Sequence, residues 1–530
     1  MTAWSPLRLP LFRALWLSSV VSNIGSTMND TAAVWTMGGM VTLDRVPVMT
    51  SLMQTMSSLP LFLLGLPAGA LADLVDRKRL IMTAQIGALS IATGMAAMAW
   101  LGALNPGTLL LATFLLGVAS TFTMPAMQAL VPEVVGKPQL SSAIALNSVG
   151  FNIARAIGPV AGGLLVARFG PVPVFTLNAL SFVAMVLVMG SGKYPSIPRS
   201  AQREQMLGAM SAAIRYARHA PAMRAVLFRG GMHMFAAVAP VVLLPFLVRA
   251  RGWDGTYFGT FMSCYGAGAI LMAVFVLPKL RARFSFDQVL AGASVVSALV
   301  AAALGLEPGA VVIGLILAVA GASWMSGLNT FSVASQSAFP NWVRARSSAI
   351  YLVVMQGAFA IGSLTWGYIA GHFNAPVALF AASAGLLFSG FLTRVIPISH
   401  VDKLDLTPSG HWHEHHFTNE PAPSDGPVLI TIEYHIDPED ARAFRAAMFH
   451  LRKTRLRDGA FRCSMFSDIE DPTHYRETFL VGSWAEHLRQ HARATVEDQR
   501  IEQAVLDFHR GPAPPRIRHF LMINLRDPIV

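Results

Sequence analysis

Asp30 sits inside a run of apolar and small residues from Phe12 to Thr36, and Arg155 sits inside another, Ser141–Ala167. Charged groups are costly at membrane depth and are kept mainly on ion and substrate pathways. A carboxylate placed there can take up and release a proton, with Arg155 as its counter-charge. The alternatives are a polar group near the outer mouth of the span for Asp30 and a structural ion pair for Arg155. His233 lies in a third apolar run with Arg229 one turn before it. Its imidazole can titrate near neutrality, or it can serve as a hydrogen-bonded packing residue.

Two groupings suggest mechanical roles. Gly69 and Asp73 precede the basic cluster Arg77, Lys78 and Arg79. An acid at a helix end can pair with a guanidinium or accept from helix N-termini across a seam. Such a pair can hold one state of a gate and break in the other; a positive loop with a helix cap is the plainer reading. Gly158, Gly162 and Gly163 strip side chains from one helix face and permit close approach of a neighbour. Pro159 frees a carbonyl and can bend that helix. The histidines of His411–His416 can bind zinc or nickel, but no regular spacing frames a metal, so none is read there. Cys264 and Cys463 fall in different domains and imply neither disulfide nor metal. No cofactor motif is present, and no cofactor is expected.

The elements that must position these residues follow from composition. The chain has 530 residues, of which 54% are hydrophobic and 13% charged, against about 25% charged in a soluble domain. Mean hydropathy is +0.51, so lipid is the solvent for much of the chain. Helices crossing a bilayer need about 20 apolar residues. Twelve such stretches are expected near Phe12–Thr36, Pro47–Ala72, Leu80–Leu101, Gly107–Leu130, Ser141–Ala167, Pro173–Gly190, Ala225–Val248, Tyr257–Leu277, Phe286–Leu304, Gly309–Ser332, Ser347–Ala370 and Val377–Thr393. With the N-terminus inside, nineteen Lys and Arg fall in inner loops and four, Arg45, Arg168, Arg249 and Arg251, in outer ones. This positive-inside bias puts both termini in the cytoplasm, and the first run reads as an uncleaved helix, not a signal peptide. It also accounts for the net charge of +11 without nucleic acid, which is not an expected partner. The expected division is residues 1–190 and 225–395 as two six-helix halves, 191–224 as a cytoplasmic central loop, 396–426 as a linker, and 427–530 as a soluble domain. An amphipathic helix around Met206–Arg218 is expected to lie on the membrane surface.

The halves repeat. Gln128–Pro132 resembles Gln336–Pro340, Ser141–Ile144 resembles Ser347–Ile350, and Gly158, Gly163 and Phe169 correspond to Gly362, Gly367 and Phe373. Parallel six-helix repeats build a central site between two rocking halves. On these residues the chain resembles the major facilitator superfamily. Gly69–Leu80 is similar to its loop motif between helices 2 and 3, with Asp76 where glycine is usual. Gly158–Gly163 resembles its antiporter motif in helix 5, which is thought to seal helix 5 against helix 1. Met124–Glu133, continuing to Ala145–Ser148, resembles the enterobactin-exporter-like, or transmembrane secretion effector, branch. The resemblance covers about residues 8–395. It implies a cavity lined by helices 1, 4, 7 and 10, hence by Asp30 and His233, with Asn23, Gln128, Trp324, Asn329 and Gln336 as uncharged candidates. Methionines on those helices can form an adaptable apolar wall.

Beyond the linker, Val428–Tyr434 alternates as a strand, and Asp437–Asp440 opens a helix with Phe444, Met448 and Leu451 on one face. Strands follow near Ala460–Ser467 and Tyr475–Val481, a capping box opens a helix at Ser483–Glu486, and Arg516–Asn524 is a last strand. This β-α-β-β-α-β order is ferredoxin-like. It resembles antibiotic-biosynthesis-monooxygenase-like domains, which implies possible pairing as a dimer. The expected fold is an all-α membrane protein of twelve transmembrane helices plus this α+β domain. The expected function is a secondary transporter in the inner membrane, a proton-coupled exporter of a small amphiphilic molecule such as a siderophore, drug or secondary metabolite. A transporter-derived sensor and a membrane-anchored enzyme are the alternatives.

Overall fold

The structure, a computed structural model, describes residues 4–192, 194, 203–340, 342–398, 401, 404–412 and 420–523. The helices are α1 (Pro10–Gly39), α2 (Val46–Leu74), α3 (Arg77–Trp100), α4 (Pro106–Val135), α5 (Leu140–Phe169), α6 (Pro171–Ser191), α7 (Arg203–His219), α8 (Pro221–Ala237), α9 (Ala239–Ala250), α10 (Gly255–Leu271), α11 (Leu277–Arg283), α12 (Phe286–Gly305), α13 (Ala310–Ser337), α14 (Arg344–His372) and α15 (Ala375–Val395). Their ends follow local chemistry. Asn105 and Thr108 form a capping box at the start of α4, and Gly136 at φ 70° ends it. Pro240 interrupts one run into α8 and α9, and Pro278 follows a π-turn, Met272–Val276, between α10 and α11.

Among the described residues, eleven segments are long and apolar enough to cross a membrane, with α8–α9 and α10–α11 each counting as one. The twelfth helix of the bundle is α1, 30 residues long and packed along α5 and α6. It falls outside that group because it carries Arg13, Asn23, Asn29 and Asp30 among its apolar residues.

The chain forms two compact units. One comprises Met1–Arg203, Leu227–Ser332 and Tyr351–Pro397; the other comprises Glu204–Val226, Val333–Ile350 and Ile398–Val530. The first is the helical bundle, with a core running through Ala32, Met37, Leu109, Phe175, Leu243, Leu317 and Leu379.

The second unit contains an α+β domain. Strands β1 (Val428–His435), β2 (Ala460–Ser467), β3 (His474–Val481) and β4 (Arg516–Leu521) form an antiparallel sheet in the order β2-β3-β1-β4. Helix α16 (Ala441–Asp458) lies between β1 and β2, and α17 (Trp484–Arg493) and α18 (Val496–Leu506) lie between β3 and β4. Ile430, Ile432 and Tyr434 alternate inward against Phe444, Met448 and Leu451. The chain before the domain is strapped to it, with Ser409 N–H donating to Ala494 O and Val496 N–H to Thr407 O, both at 3.0 Å. His413–His416 lie outside the described residues. Under the sheet, enclosed Arg455 donates to Glu477 at 3.2 Å and to Glu502 at 2.9 Å. Burial alone would push the Glu502 carboxyl up. The Arg455 guanidinium, with hydrogen bonds from His411 and Trp412, outweighs it and holds the group down to about 2. That pairing therefore stabilises the domain above pH 4.5, and the contribution fades as pH falls toward 2.

Helix α7 forms as expected, and among its described side chains Ile214 is exposed while part of the remaining face packs on protein. Ala212, Ala213, Tyr216 and Ala217 are buried by protein.

Candidate functional site

On α1, Asn23, Ser26 and Asp30 share one face at i, i+3 and i+7, while Thr27 and Met28 turn toward α5. Asp30 is exposed between the buried neighbours Asn29 and Thr31, and the Asn29 side chain hydrogen-bonds to it. Arg155 is half-buried with its guanidinium over the Phe151 ring at 5.8 Å. Among the described residues no ion pair joins Asp30 to Arg155. Asn23 and Asn329 are half-buried, and Gln128 and Gln336 are exposed. His233 is buried in the opposite way. It is 2% exposed, its Nδ1 lies 3.1 Å from Ser294 Oγ, and its ring packs 5.8 Å from that of Phe331.

The glycines of α5 are wedged between two other helices. A methyl at Gly162 would lie 2.6 Å from the Met28 carbonyl oxygen, and one at Gly158 would strike Thr27. Thr27 Oγ1 donates to the Ala154 carbonyl at 3.0 Å, locking α1 to α5. A methyl at Gly163 would lie 2.5 Å from Gly259 Cα on α10, and Gly259 faces the carbonyl of Pro159. The repeat reproduces this. A methyl at Gly362 of α14 would lie 2.5 Å from the Phe235 carbonyl oxygen of α8, and one at Gly367 would strike Ser51 of α2.

The junction between α2 and α3 carries Asp73 and the Arg77 cluster. The side chain of Asp73 lies outside the described residues. Arg77 pairs with Glu133 of α4 and donates to Ala129 O at 3.3 Å. Asp76 caps α3 by accepting from Arg79 N–H at 2.9 Å, and Lys78 donates to Gly192 O at 2.9 Å. Glu133 is the last residue of the Met124–Glu133 stretch, which marks the residue but not its pairing with Arg77. In the second half, enclosed Arg229 pairs with Asp287 and donates to Ile396 O at 2.9 Å. Asp287, in the first turn of α12, had no such signal.

At the end of the bundle bearing the α1–α2 turn, Trp35 of α1 stacks on Phe258 at 5.7 Å. Arg249 lies 3.9 Å over the Trp35 ring and donates to the Trp35 carbonyl at 2.5 Å. The halves are in contact there through α1, α9 and α10.

A family described as transmembrane secretion effector matches residues 1–527. The chain belongs to the transmembrane secretion effector family. This transmembrane secretion effector is a major-facilitator-type transporter and a membrane protein. It is 26% identical over 409 residues to the enterobactin exporter EntS of Shigella boydii, spanning 73% of this chain and 92% of that protein. It is 28% identical over 190 residues to the uncharacterized MFS-type transporter YfiS of Bacillus subtilis, 34% of this chain and 43% of that protein. The fold is that of the nucleoside transporter NupG, at TM-score 0.58 and 14% identity over 73% of this chain and 98% of that one.

Proposed function

We propose that this chain is a proton-coupled exporter of a small amphiphilic molecule, working by alternating access in the inner membrane with both termini cytoplasmic. The observation that carries the reading is Asp30. It is an accessible carboxylate on a spanning helix, on one face with Asn23 and Ser26. Lipid cannot solvate a carboxylate, so this face belongs to a water-filled cavity. Asp30 takes the coupling proton. Arg155, one helix away, offers a cation without consuming the acid in a fixed ion pair. On this reading the Trp35–Arg249 contact belongs to a closed outer gate, and Asp30 is reached from the cytoplasm. Asp73 acts with the Arg77 cluster in switching. The enterobactin-exporter relatives favour an amphiphile such as a siderophore as cargo.

The soluble domain pairs with a second copy through its open sheet face, where Phe461, Phe466 and Phe520 are exposed. Light scattering on the detergent-solubilised full chain distinguishes a dimer from a monomer.

The transport reading is tested in inverted vesicles under an imposed pH gradient, with enterobactin and a panel of amphiphilic dyes as probes. Gradient-driven accumulation of one of them, lost in Asp30→Asn with the protein still in the membrane, is the expected result. Undiminished gradient-driven accumulation by Asp30→Asn removes the residue from the mechanism.

A further inference from the structure

Within the second unit, three stretches remote in sequence are held together: α7, residues 338–340, 342 and 343 between α13 and α14, and the α+β domain. Tyr216 of α7 is the hub. It is 3% exposed, and its hydroxyl donates to the Ala338 carbonyl at 2.8 Å. Its ring stands edge-on to Phe339 at 6.1 Å and to Trp342 at 6.0 Å.

The domain grips Tyr216 and Trp342. The Arg457 guanidinium covers the Tyr216 ring at 5.4 Å and is itself fixed by Asp458 and Asp498, each at 2.7 Å. Arg493 covers the Trp342 ring at 4.6 Å and is fixed by Glu486 at 2.8 Å. Glu486 also pairs with Arg215 of α7 at 2.9 Å. Two cations held by carboxylates thus stack on two aromatic rings, one from each segment. Cation–π contacts of this kind strengthen when the groups leave water, and each guanidinium is already oriented by its carboxylate.

The place of these segments in the chain gives the contact its meaning. α7 lies between the first six helices and the rest and passes through Ala220 into α8. Ala338–Val343 joins α13 to α14. In a transporter built from rocking repeats, the connector between halves and the turns at helix ends must shift as the halves exchange states.

We propose that the α+β domain is an intramolecular clamp: its Arg457 and Arg493 bind the connector helix α7 and the α13–α14 turn as one body, and so set how readily the two halves exchange conformations. This rests on the chain being a transporter and not on its cargo or coupling ion. The clamp requires no second copy and no ligand.

The test uses the full chain in nanodiscs. Glu486→Gln removes the charge shared by Arg215 and Arg493. Hydrogen exchange at 211–219 and 338–343 should rise about tenfold, while β1 and α16 stay protected. Spin labels at Leu101→Cys and Leu306→Cys, exposed at the far ends of α3 and α12, then report on the halves. The minor distance population should rise at least about fivefold in Glu486→Gln. Unchanged exchange at both segments overturns the clamp. Faster exchange with an unchanged distance distribution reduces it to a tether, which also overturns the proposal. If β1 or α16 loses protection, both readouts are repeated on Tyr216→Phe, which deletes only the hydroxyl to Ala338, and the same two results overturn the clamp. Transport assays are not involved, so failure here is separate from failure of the proton-coupled reading.

Discussion

Helix α5 meets α1 through Gly158 and Gly162 and meets α10 through Gly163, while α14 meets α8 through Gly362 and meets α2 through Gly367. The backbone contacts are the same in both halves, each long helix touching the first helix of its own half and the second helix of the other. The polar groups beside them differ. Where α5 has Gly162 against the Met28 carbonyl, the matching position of α14 is Trp366, whose indole donates to the Phe235 carbonyl at 2.6 Å. Near the α1–α5 seam the ionisable groups are accessible: Asp30 is exposed and Arg155 half-buried. In the second half they are enclosed and engaged, Arg229 with Asp287 and His233 with Ser294. The repeat preserves the hinge-like packing because glycine contacts depend on backbone position, and both halves share one backbone. It does not preserve the charges. On the proposed reading the titrating group therefore sits in the first half, and the second half is its enclosed counterpart.

The sharpest way to break this division is at the acids. Asp30→Asn should reduce pH-gradient-driven transport to background while membrane levels stay normal, measured in inverted vesicles. Asp287→Ala should do the reverse. It leaves Arg229 enclosed without its carboxylate, at a cost of about 3–5 kcal/mol. Folded protein recovered in detergent should fall steeply, and whatever folds should still respond to a pH gradient. If the two variants exchanged phenotypes, the division would be wrong.

The packing symmetry is tested by a matched pair. Gly163→Ala and Gly367→Ala each force a methyl onto a neighbouring helix and should each cost about 1–3 kcal/mol, read as similar drops in thermal midpoint. A large drop in one and none in the other would show that the seams are not equivalent. The smallest effect is expected at His233. Its hydrogen bond to Ser294 contributes about 1 kcal/mol, so His233→Gln should lower stability slightly and keep pH-driven transport. Loss of coupling in that variant would move a titrating role into the second half.

Much of the bundle was legible before the structure, because long apolar runs bounded by Pro, Gly and basic residues have few solutions in lipid. The first helix was legible despite its polar residues, since Asp30 and Asn23 interrupt an otherwise apolar stretch without ending it. The α+β domain was legible from alternating strands such as Val428–Tyr434 and from the cap at Ser483, both local signals. The partner of Arg77 was not. Asp73 is close in sequence, yet Glu133 lies 56 residues further along and reaches Arg77 only because α4 packs beside the loop.

The sequence alone determined the helical transporter architecture, the repeat and the polar residues inside it. Each depends on composition or spacing that a chain carries whatever its tertiary contacts. Only the tertiary structure decided that Ala212, Ala213, Tyr216 and Ala217 of α7 pack on protein. A small-residue face on an amphipathic helix satisfies either surface, and nothing within Met206–Arg218 distinguishes them. The choice was made by Arg457, Glu486 and Trp342, residues more than a hundred positions away. They supply the carboxylate that pairs with Arg215 and the cation and ring that Tyr216 meets once removed from water.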